Sequence, residues 1–359
     1  MAVNPSSPLP ALRQRLEPHT ALLVESPATR FYLTGFASSD GLLVVLPDRA
    51  VFLIDSRYSE KAAMTVTDAE VRQSRYQLAE IAELLQDAGC RRLYVETEHT
   101  SIRRLASLRQ GLPAVEVAED DRYDRLLTEL RRIKSSHELM LLRQAQALTD
   151  ETFTYILDRI EAGRTERDVL LDMEFYMRRR GSEGVSFDFI VVSGKNSSLP
   201  HGVATDKVIE KGDFLTMDFG AVVGGYHADM TRTVAVGSVS DEQRRAYETV
   251  LAAQTAALAA VAPGRVCRDI DRIARDIIDS AGYAGCFGHG LGHSVGVEIH
   301  ESPAFSPRCE TVLQPGMVMT VEPGVYLEGR FGLRIEDMVA VTENGCENLT
   351  ASPKELLIL

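Results

Sequence analysis

Hydrophobic and polar positions follow two different patterns along this chain. In the first third, short runs of Val, Ile and Leu are separated by polar or glycine-containing segments, and such runs are typical of strands. Between them, one segment repeats its apolar residues at helical spacing and ends near Gly89. We therefore predict a small α/β domain, with strands at residues 21–25, 42–46, 51–55 and 92–96 and a helix at 78–88.

After a charged stretch at residues 119–122, the remainder repeats one order of elements, two helices followed by a hairpin of strands. Gly181 and Gly282 each end a predicted helix, because glycine commonly follows a helix C-terminus. Ser240 and Gln243 have the spacing of a capping box at a helix start. The predicted helices are 141–156, 166–180, 240–261 and 270–277, and the predicted strands are 185–193, 214–219, 226–236, 318–322 and 333–341.

The bulk properties narrow the class of protein. A length of 359 residues favours two domains, which we place at residues 1–123 and 124–359 of an α+β chain. The net charge of −13 argues against nucleic acid or an anionic membrane as the partner. The five cysteines are scattered without a Cys-x-x-Cys motif, and neither a signal-peptide core nor a membrane-spanning run is present. We expect a cytoplasmic protein.

One frame of residues occurs twice. Residues 211–220 and 315–324 share the pattern Gly-x-apolar-apolar-Thr-apolar-acid-x-Gly, which puts Asp218 and Glu322 into apolar strands. A buried carboxylate without a partner is costly, so each acid needs a cation. A second acid follows each copy, Asp229 in the first and Glu336 in the second. Ordinary surface acids at hairpin ends would also fit each copy alone, but the repeat favours a site for two metal ions.

Histidine side chains near these acids change which metal ion is expected to bind. Three of the eight histidines, His289, His293 and His300, fall within residues 287–301 among several glycines, and His201 lies on a predicted loop. Carboxylate oxygens alone suit Mn²⁺, Mg²⁺ or Ca²⁺, whereas an added imidazole favours Mn²⁺, Co²⁺, Fe²⁺ or Zn²⁺. Clustered histidines with flanking glycines favour a functional site over isolated surface histidines.

These acids and the histidine-rich segment resemble the dinuclear metallopeptidases of the pita-bread fold, which include methionine aminopeptidase, aminopeptidase P and prolidase. Residues 31–36, Phe-Tyr-Leu-Thr-Gly-Phe, resemble the creatinase-type N-terminal domain that aminopeptidase P and prolidase carry. The resemblance implies a creatinase-like N-terminal domain followed by a pseudo-twofold pita-bread catalytic domain.

The resemblance also implies roles for individual residues. It makes Glu322 a proton shuttle for a metal-bridging hydroxide, and His201 and His300 donors to the developing oxyanion. Two divalent ions are implied, with Mn²⁺ expected and Co²⁺ or Zn²⁺ as alternatives. The implied ligands are Asp218, Asp229, His293, Glu322 and Glu336.

Substrate choice depends on arginines outside the repeated frame. Arg308 stands where prolidases are expected to hold an arginine that pairs with the C-terminal carboxylate of a dipeptide, although a solvated loop arginine fits equally well. His289 and Arg334 are expected neighbours of the substrate, and Arg334 could instead hold a metal ligand.

The resulting hypothesis is hydrolysis of Xaa-Pro dipeptides. The alternatives are an aminopeptidase P that acts on longer Xaa-Pro peptides, and a catalytically silent peptide-binding module on the same fold. The resemblance further implies a homodimer, with the loop at residues 37–41 as a candidate for contact with the partner's active site.

Overall fold

The computed structural model describes residues 7–75 and 77–359. The chain divides into two compact units, Met1–Arg131 and Arg132–Leu359. The boundary expected between residues 123 and 124 lies in the first turn of a helix, Arg122–Arg132, and the division between the units comes at the end of that helix.

The helices and strands have the following bounds. The helices are α1 (Leu9–Gln14), α2 (Pro27–Thr34), α3 (Ser59–Thr65), α4 (Gln77–Asp87), α5 (Ile102–Gly111), α6 (Arg122–Arg132), α7 (Ser136–Leu157), α8 (Glu166–Arg179), α9 (Asp241–Ala260) and α10 (Cys267–Ile278). The strands are β1 (Thr20–Val24), β2 (Leu42–Val45), β3 (Ala50–Ile54), β4 (Glu70–Gln73), β5 (Arg92–Val95), β6 (Glu116–Ala118), β7 (Ile190–Ser193), β8 (Phe214–Phe219), β9 (Val222–Val223), β10 (Tyr226–His227), β11 (Met230–Ala235), β12 (Gly292–Ser294), β13 (Glu301–Phe305), β14 (Val318–Val321), β15 (Gly324–Leu327), β16 (Phe331–Arg334), β17 (Asp337–Val341) and β18 (Cys346–Asn348).

The first unit is built on a six-stranded mixed sheet with the order β4-β3-β2-β1-β5-β6. The four predicted strands and the predicted helix α4 are confirmed. The prediction missed the edge strands β4 and β6, because β4 has no fully buried residue and β6 is only three residues long. A hydrophobic pattern marks buried strands well and exposed edge strands poorly.

Three of the helices of the second unit, α7, α8 and α9, begin at capping boxes, whereas α10 begins without a side-chain cap. The predicted box at Ser240 and Gln243 is confirmed, and Ser135 and Thr165 start α7 and α8 in the same way. Helix α8 ends before Gly181, whose φ of 110° is a backbone conformation that glycine adopts without strain. Two hydrophobic clusters fill this unit, one between α7, α8 and the first sheet and one between α9, α10 and the second sheet.

The strands of the second unit form two principal sheets. One has the order β11-β8-β7, with β8 carrying Asp218, and the other has the order β13-β12-β14-β17-β18, with Glu322 directly after β14. The predicted strands 226–236 and 333–341 are each interrupted, the first at Ala228 and Asp229 and the second at Ile335 and Glu336. Both second acids therefore lie at breaks in the strands, and the predictions of continuous strands over residues 226–236 and 333–341 are wrong at these positions.

The described part of the chain contains no helix that is both long and apolar enough to cross a membrane.

Candidate metal centre and active site

A cavity of about 850 Å³ opens in the second unit and collects nearly all of the candidate site residues. Its lining includes Asp218, Asp229, His201, His289, His293, His300, Glu322, Arg334 and Glu336. Arg308 does not line this cavity, and its side chain is exposed. The remaining wall is largely apolar, with residues such as Leu170, Phe187 and Phe189.

Asp229, His293 and Glu336 form the tightest group of potential ligands. One ligand atom from each lies within 4.8 Å of the other two. The Nε2 atom of His293 is 3.4 Å from Asp229 Oδ2 and 3.5 Å from Glu322 Oε1. These distances leave the imidazole nitrogen facing two carboxylates.

Arg334 connects the remaining acid to the rest of the site. Its Nη2 atom donates to Asp218 Oδ2 at 2.6 Å, and its Nε atom donates to Thr231 Oγ1 at 2.9 Å. The hydroxyl of Thr231 donates in turn to Glu336 Oε2 at 2.7 Å. The backbone N–H of Glu336 also donates to the Thr231 carbonyl at 3.1 Å. Arg334 thus contacts the Asp218 carboxylate directly and the Glu336 carboxylate through Thr231.

Burial and mutual repulsion make three of these carboxylates, those of Asp229, Glu322 and Glu336, hard to ionise. Burial raises the pKa of Glu322 to about 8, and the charge of Asp218 adds to the rise. The pKa of Asp229 lies well above its usual value because of burial and then the charges of Glu336 and Asp218. The pKa of Glu336 is raised in the same way by burial and then by Glu322. Such repulsion is relieved when a cation joins the group.

Two half-buried imidazoles of the cavity, those of His289 and His293, have lowered pKa values and are therefore neutral at neutral pH. Burial, followed by the charge of His300, lowers the pKa of His293 to about 4. Burial and then Arg334 lower the pKa of His289 to about 4. A neutral imidazole offers a free nitrogen lone pair, which is the form that binds metal ions.

Within the part of the chain that the structure describes, two carboxylate oxygens of this cluster have no hydrogen-bond partner. They are Asp218 Oδ1 and Glu336 Oε1, both buried. Buried polar atoms are nearly always paired in folded proteins, so each unpaired atom calls for an explanation. Four acids, one neutral imidazole and two unpaired oxygens that share one cavity fit divalent metal ions.

Glycines let the strand that carries His293 approach its neighbours. A Cβ atom on Gly292 would lie 2.1 Å from the carbonyl oxygen of Thr320, and one on Gly290 would lie 2.8 Å from that of Phe305. The Thr320 hydroxyl accepts a hydrogen bond from the His293 backbone at 3.0 Å. In the structure these glycines admit the backbone and the threonine of the repeated frame.

The other two histidines lie at the cavity wall. His300 packs edge-on against the ring of His293, with 4.5 Å between ring centroids. His201 is exposed and lines the cavity through the loop after β7. Tyr326 was not among the predicted site residues, yet its hydroxyl accepts a hydrogen bond from Arg334 Nη1 at 2.7 Å and lies 3.0 Å from His289 Nε2. Its signal was its position four residues after Glu322, on the same face of an extended chain.

Comparisons with known proteins identify relatives of this chain. Residues 140–343 match metallopeptidase family M24, and residues 9–133 match the creatinase/prolidase N-terminal domain. The Xaa-Pro dipeptidase of Pyrococcus furiosus is 45% identical over 241 residues, which cover 67% of this chain and 69% of that protein.

Two solved structures are similar over almost their whole length. The Xaa-Pro dipeptidase from Bacillus anthracis superposes with a TM-score of 0.93 at 38% identity, over 98% of this chain and 99% of that one. The X-Pro aminopeptidase from Thermotoga maritima MSB8 superposes with a TM-score of 0.88 at 36% identity, over 94% of this chain and 95% of that one.

Proposed function

Because this chain belongs to metallopeptidase family M24 and carries a creatinase/prolidase N-terminal domain, we propose that it is an Xaa-Pro dipeptidase. It would hydrolyse the bond between the first residue of a dipeptide and its proline. The observation that carries the proposal is the meeting of four carboxylates and His293 in one cavity, with two carboxylate oxygens lacking partners. Relatives named Xaa-Pro dipeptidase support the choice of substrate.

Two divalent ions complete the proposed site. The proposed ligands are Asp218, Asp229, His293, Glu322 and Glu336, with Mn²⁺ as the first choice and Co²⁺ or Zn²⁺ as alternatives. When bound, these ions would lower the pKa of a water molecule and polarise the scissile carbonyl.

The protein's own residues supply positioning and proton transfer in this proposal. Glu322 takes a proton from the attacking water and passes it to the proline nitrogen as the bond breaks. His201 and His300 donate hydrogen bonds to the carbonyl oxygen as negative charge develops there. Arg334 keeps Asp218 in place through the 2.6 Å contact, and Tyr326 fixes the opposite end of the guanidinium.

The proposal is tested with purified protein stripped of metal by a chelator. Hydrolysis of an Xaa-Pro dipeptide should be absent in the stripped protein and should return with Mn²⁺. A Pro-Xaa dipeptide of the same composition is the matched control, and it should not be cleaved. Failure of Mn²⁺ to restore cleavage, or equal cleavage of both isomers, would sink the proposal.

A second candidate function is removal of the first residue from longer Xaa-Pro peptides. Two observations favour it: the exposed Arg308 lies outside the cavity lining, and the volume of 850 Å³ is near the upper end of the about 300–1,000 Å³ typical of ligand pockets. The similarity to an X-Pro aminopeptidase agrees with it. Comparison of kcat/KM for Xaa-Pro and Xaa-Pro-Xaa separates the two, and faster cleavage of the tripeptide establishes the second.

The Glu322→Ala variant separates catalysis from folding. We expect it to lose about 10²–10⁴-fold in kcat, since Glu322 is the proposed proton carrier, while its circular dichroism spectrum stays that of the parent protein. Retained turnover would remove Glu322 from the mechanism.

The homodimer and the role of the loop at residues 37–41 stay predictions. Light scattering on the purified chain tests whether it is a dimer.

A further inference from the structure

A buried lysine joins the two segments that carry imidazoles of the cavity. The Nζ atom of Lys134 donates to Ser294 Oγ at 3.1 Å and to Glu301 Oε2 at 3.1 Å. The side chains of Lys134 and Glu301 are 1% and 4% exposed, so this ion pair lies inside the protein. Ser294 directly follows His293, and Glu301 directly follows His300.

The Glu301 carboxylate also organises the turn between the two imidazoles. Strands β12 and β13 pair Ser294 with Glu301, and their register shifts between His293 and Ser294. The backbone N–H of Glu298 donates to Glu301 Oε1 at 3.3 Å. A Cβ atom on Gly296 would lie 2.5 Å from the same carboxylate oxygen, so any larger residue there would displace the Glu301 carboxylate.

Lys134 reaches the repeated frame as well. Its backbone N–H donates to the carbonyl of Gly316 at 2.9 Å, in the turn that leads into β14 and on to Glu322. Ser294 pairs with Met319 on that same strand. One residue therefore contacts the segments that carry His293, His300 and Glu322.

Stability alone does not explain a charge pair at this depth. Removing two charges from water costs about as much as their attraction returns, so a buried ion pair contributes little net stability compared with apolar side chains. What such a pair does provide is a defined geometry, because only one arrangement satisfies both charges.

We propose that the Lys134–Glu301 ion pair is a positioning device for the metal centre. It fixes the backbone on either side of the His293–His300 pair, and it thereby sets the affinity for divalent ions and the placement of the His300 donor. The inference rests on the proposed function for its kinetic readout, whereas metal affinity is measured without turnover.

The test is calorimetric titration of Mn²⁺ into chelator-treated Lys134→Met and parent protein. Loss of residues that orient metal ligands typically weakens metal affinity about 10–100-fold, and we expect a change in this range. Lys134→Arg restores the charge and should recover part of the affinity. At saturating Mn²⁺, kcat should fall while KM stays near the parent value, because the pair does not touch substrate.

Lys207 offers a matched control in the other half of the unit. Its Nζ atom donates to Ser193 Oγ at 2.9 Å and to Asp213 Oδ2 at 2.6 Å, and it does not line the cavity. Lys207→Met should lower stability without changing the Mn²⁺ dissociation constant. If both methionine variants bind Mn²⁺ as the parent does, the pair is only structural and the inference is overturned.

A double variant guards against misfolding. Lys134→Met leaves the Glu301 carboxylate buried without its cation, so Lys134→Met/Glu301→Gln removes both charges and should fold. Weak Mn²⁺ affinity in the double variant supports positioning, and parent-like affinity overturns it. A chain that shows the Lys134 effect on Mn²⁺ but cleaves no Xaa-Pro substrate would refute the proposed function and leave this inference standing.

Discussion

Glu336 and Asp337 are neighbours in sequence, and both are buried, with exposures of 1% and 0%. Asp337 is fully partnered, since Arg232 Nη2 donates to its Oδ1 at 2.7 Å and Lys354 Nζ donates to its Oδ2 at 2.7 Å. Two amides, from Gln254 and Asn348, add further hydrogen bonds to Oδ2. Glu336 receives one side-chain hydrogen bond, at Oε2, and its other oxygen has no partner.

The difference shows that the neighbouring charges and hydrogen-bond donors, and not the extent of burial, determine whether a buried carboxylate stabilises the fold or can bind a ligand. Burial works against the charge of both groups. The cations Arg232 and Lys354 outweigh burial at Asp337 and lower its pKa, whereas the acids around Glu336 add to burial and raise its pKa. The fold uses the full bonding capacity of Asp337 for its own stability. One carboxylate oxygen of Glu336, by contrast, stays available to a ligand.

The largest effect is expected from Glu336→Gln. An amide is a much poorer ligand than a carboxylate for a hard divalent ion, so we expect kcat/KM for an Xaa-Pro dipeptide to fall about 10⁴-fold or more. The metal-free variant should be at least as stable as the parent, because one repelled carboxylate is gone. Urea unfolding of metal-free protein measures this second effect. Destabilisation there would mean that Glu336 is structural, as Asp337 is.

Asp337→Asn should have the opposite profile. It leaves the buried Arg232 without its counter-charge, and breaking a buried pair in this way costs about 3–5 kcal/mol in the free energy of unfolding. The loss should be equal with and without Mn²⁺. A change below about 1 kcal/mol, the size of an ordinary substitution, would show that the network around Asp337 carries little stability.

The pH dependence of stability should also separate the two kinds of carboxylate. In metal-free protein, the raised pKa values of Asp229, Glu322 and Glu336 give stability that is complete below the unfolded-state pKa of about 4 and is lost as pH rises, with Glu322 titrating near pH 8. The lowered pKa of Asp337 gives stability that is lost only as pH falls through that lowered value.

We therefore expect metal-free protein to lose about 2 kcal/mol or more of stability between pH 5 and pH 9, a loss that saturating Mn²⁺ removes. Urea unfolding at both pH values, with chelator or with Mn²⁺, provides the measurement. Parallel pH profiles in the two conditions would contradict the assignment of these acids to a metal centre.

The smallest effect is expected from Lys354→Met. Its side chain is partly exposed and Arg232 remains in place, so we expect a loss of about 1 kcal/mol in the free energy of unfolding and unchanged kcat/KM. Thermal unfolding and the dipeptide assay check the two halves of this expectation. A loss as large as that of Asp337→Asn would mean that the two cations act as one unit.

Short motifs in the sequence were enough to predict much of the fold and part of the candidate site. The repeated frame located Asp218 on β8 and Glu322 directly after β14, and the capping box at Ser240 located a helix start. Such features depend on neighbouring residues, so a pattern of spacing is enough to find them.

Features that depend on distant partners were not predictable in this way. The strand breaks at Asp229 and Glu336 depend on how the two halves meet, as the bond between Thr231 and Glu336 shows. The partners of Asp337 come from residues 232, 254, 348 and 354, and no short motif brings these together. The position of Arg308 outside the cavity lining likewise follows from the path of its loop.

The hydrogen bond from the Thr231 hydroxyl to the Glu336 carboxylate has a consequence for how the protein is made, because 105 residues separate the two partners. The ribosome incorporates Asp218 and Asp229 well before it incorporates the acids of the second half. Synthesis proceeds at about 5–20 residues per second, so this interval lasts seconds. The proposed centre cannot form on the nascent chain during this time. On the proposed assignment of ligands, every molecule therefore passes through a metal-free stage until the second half has been made.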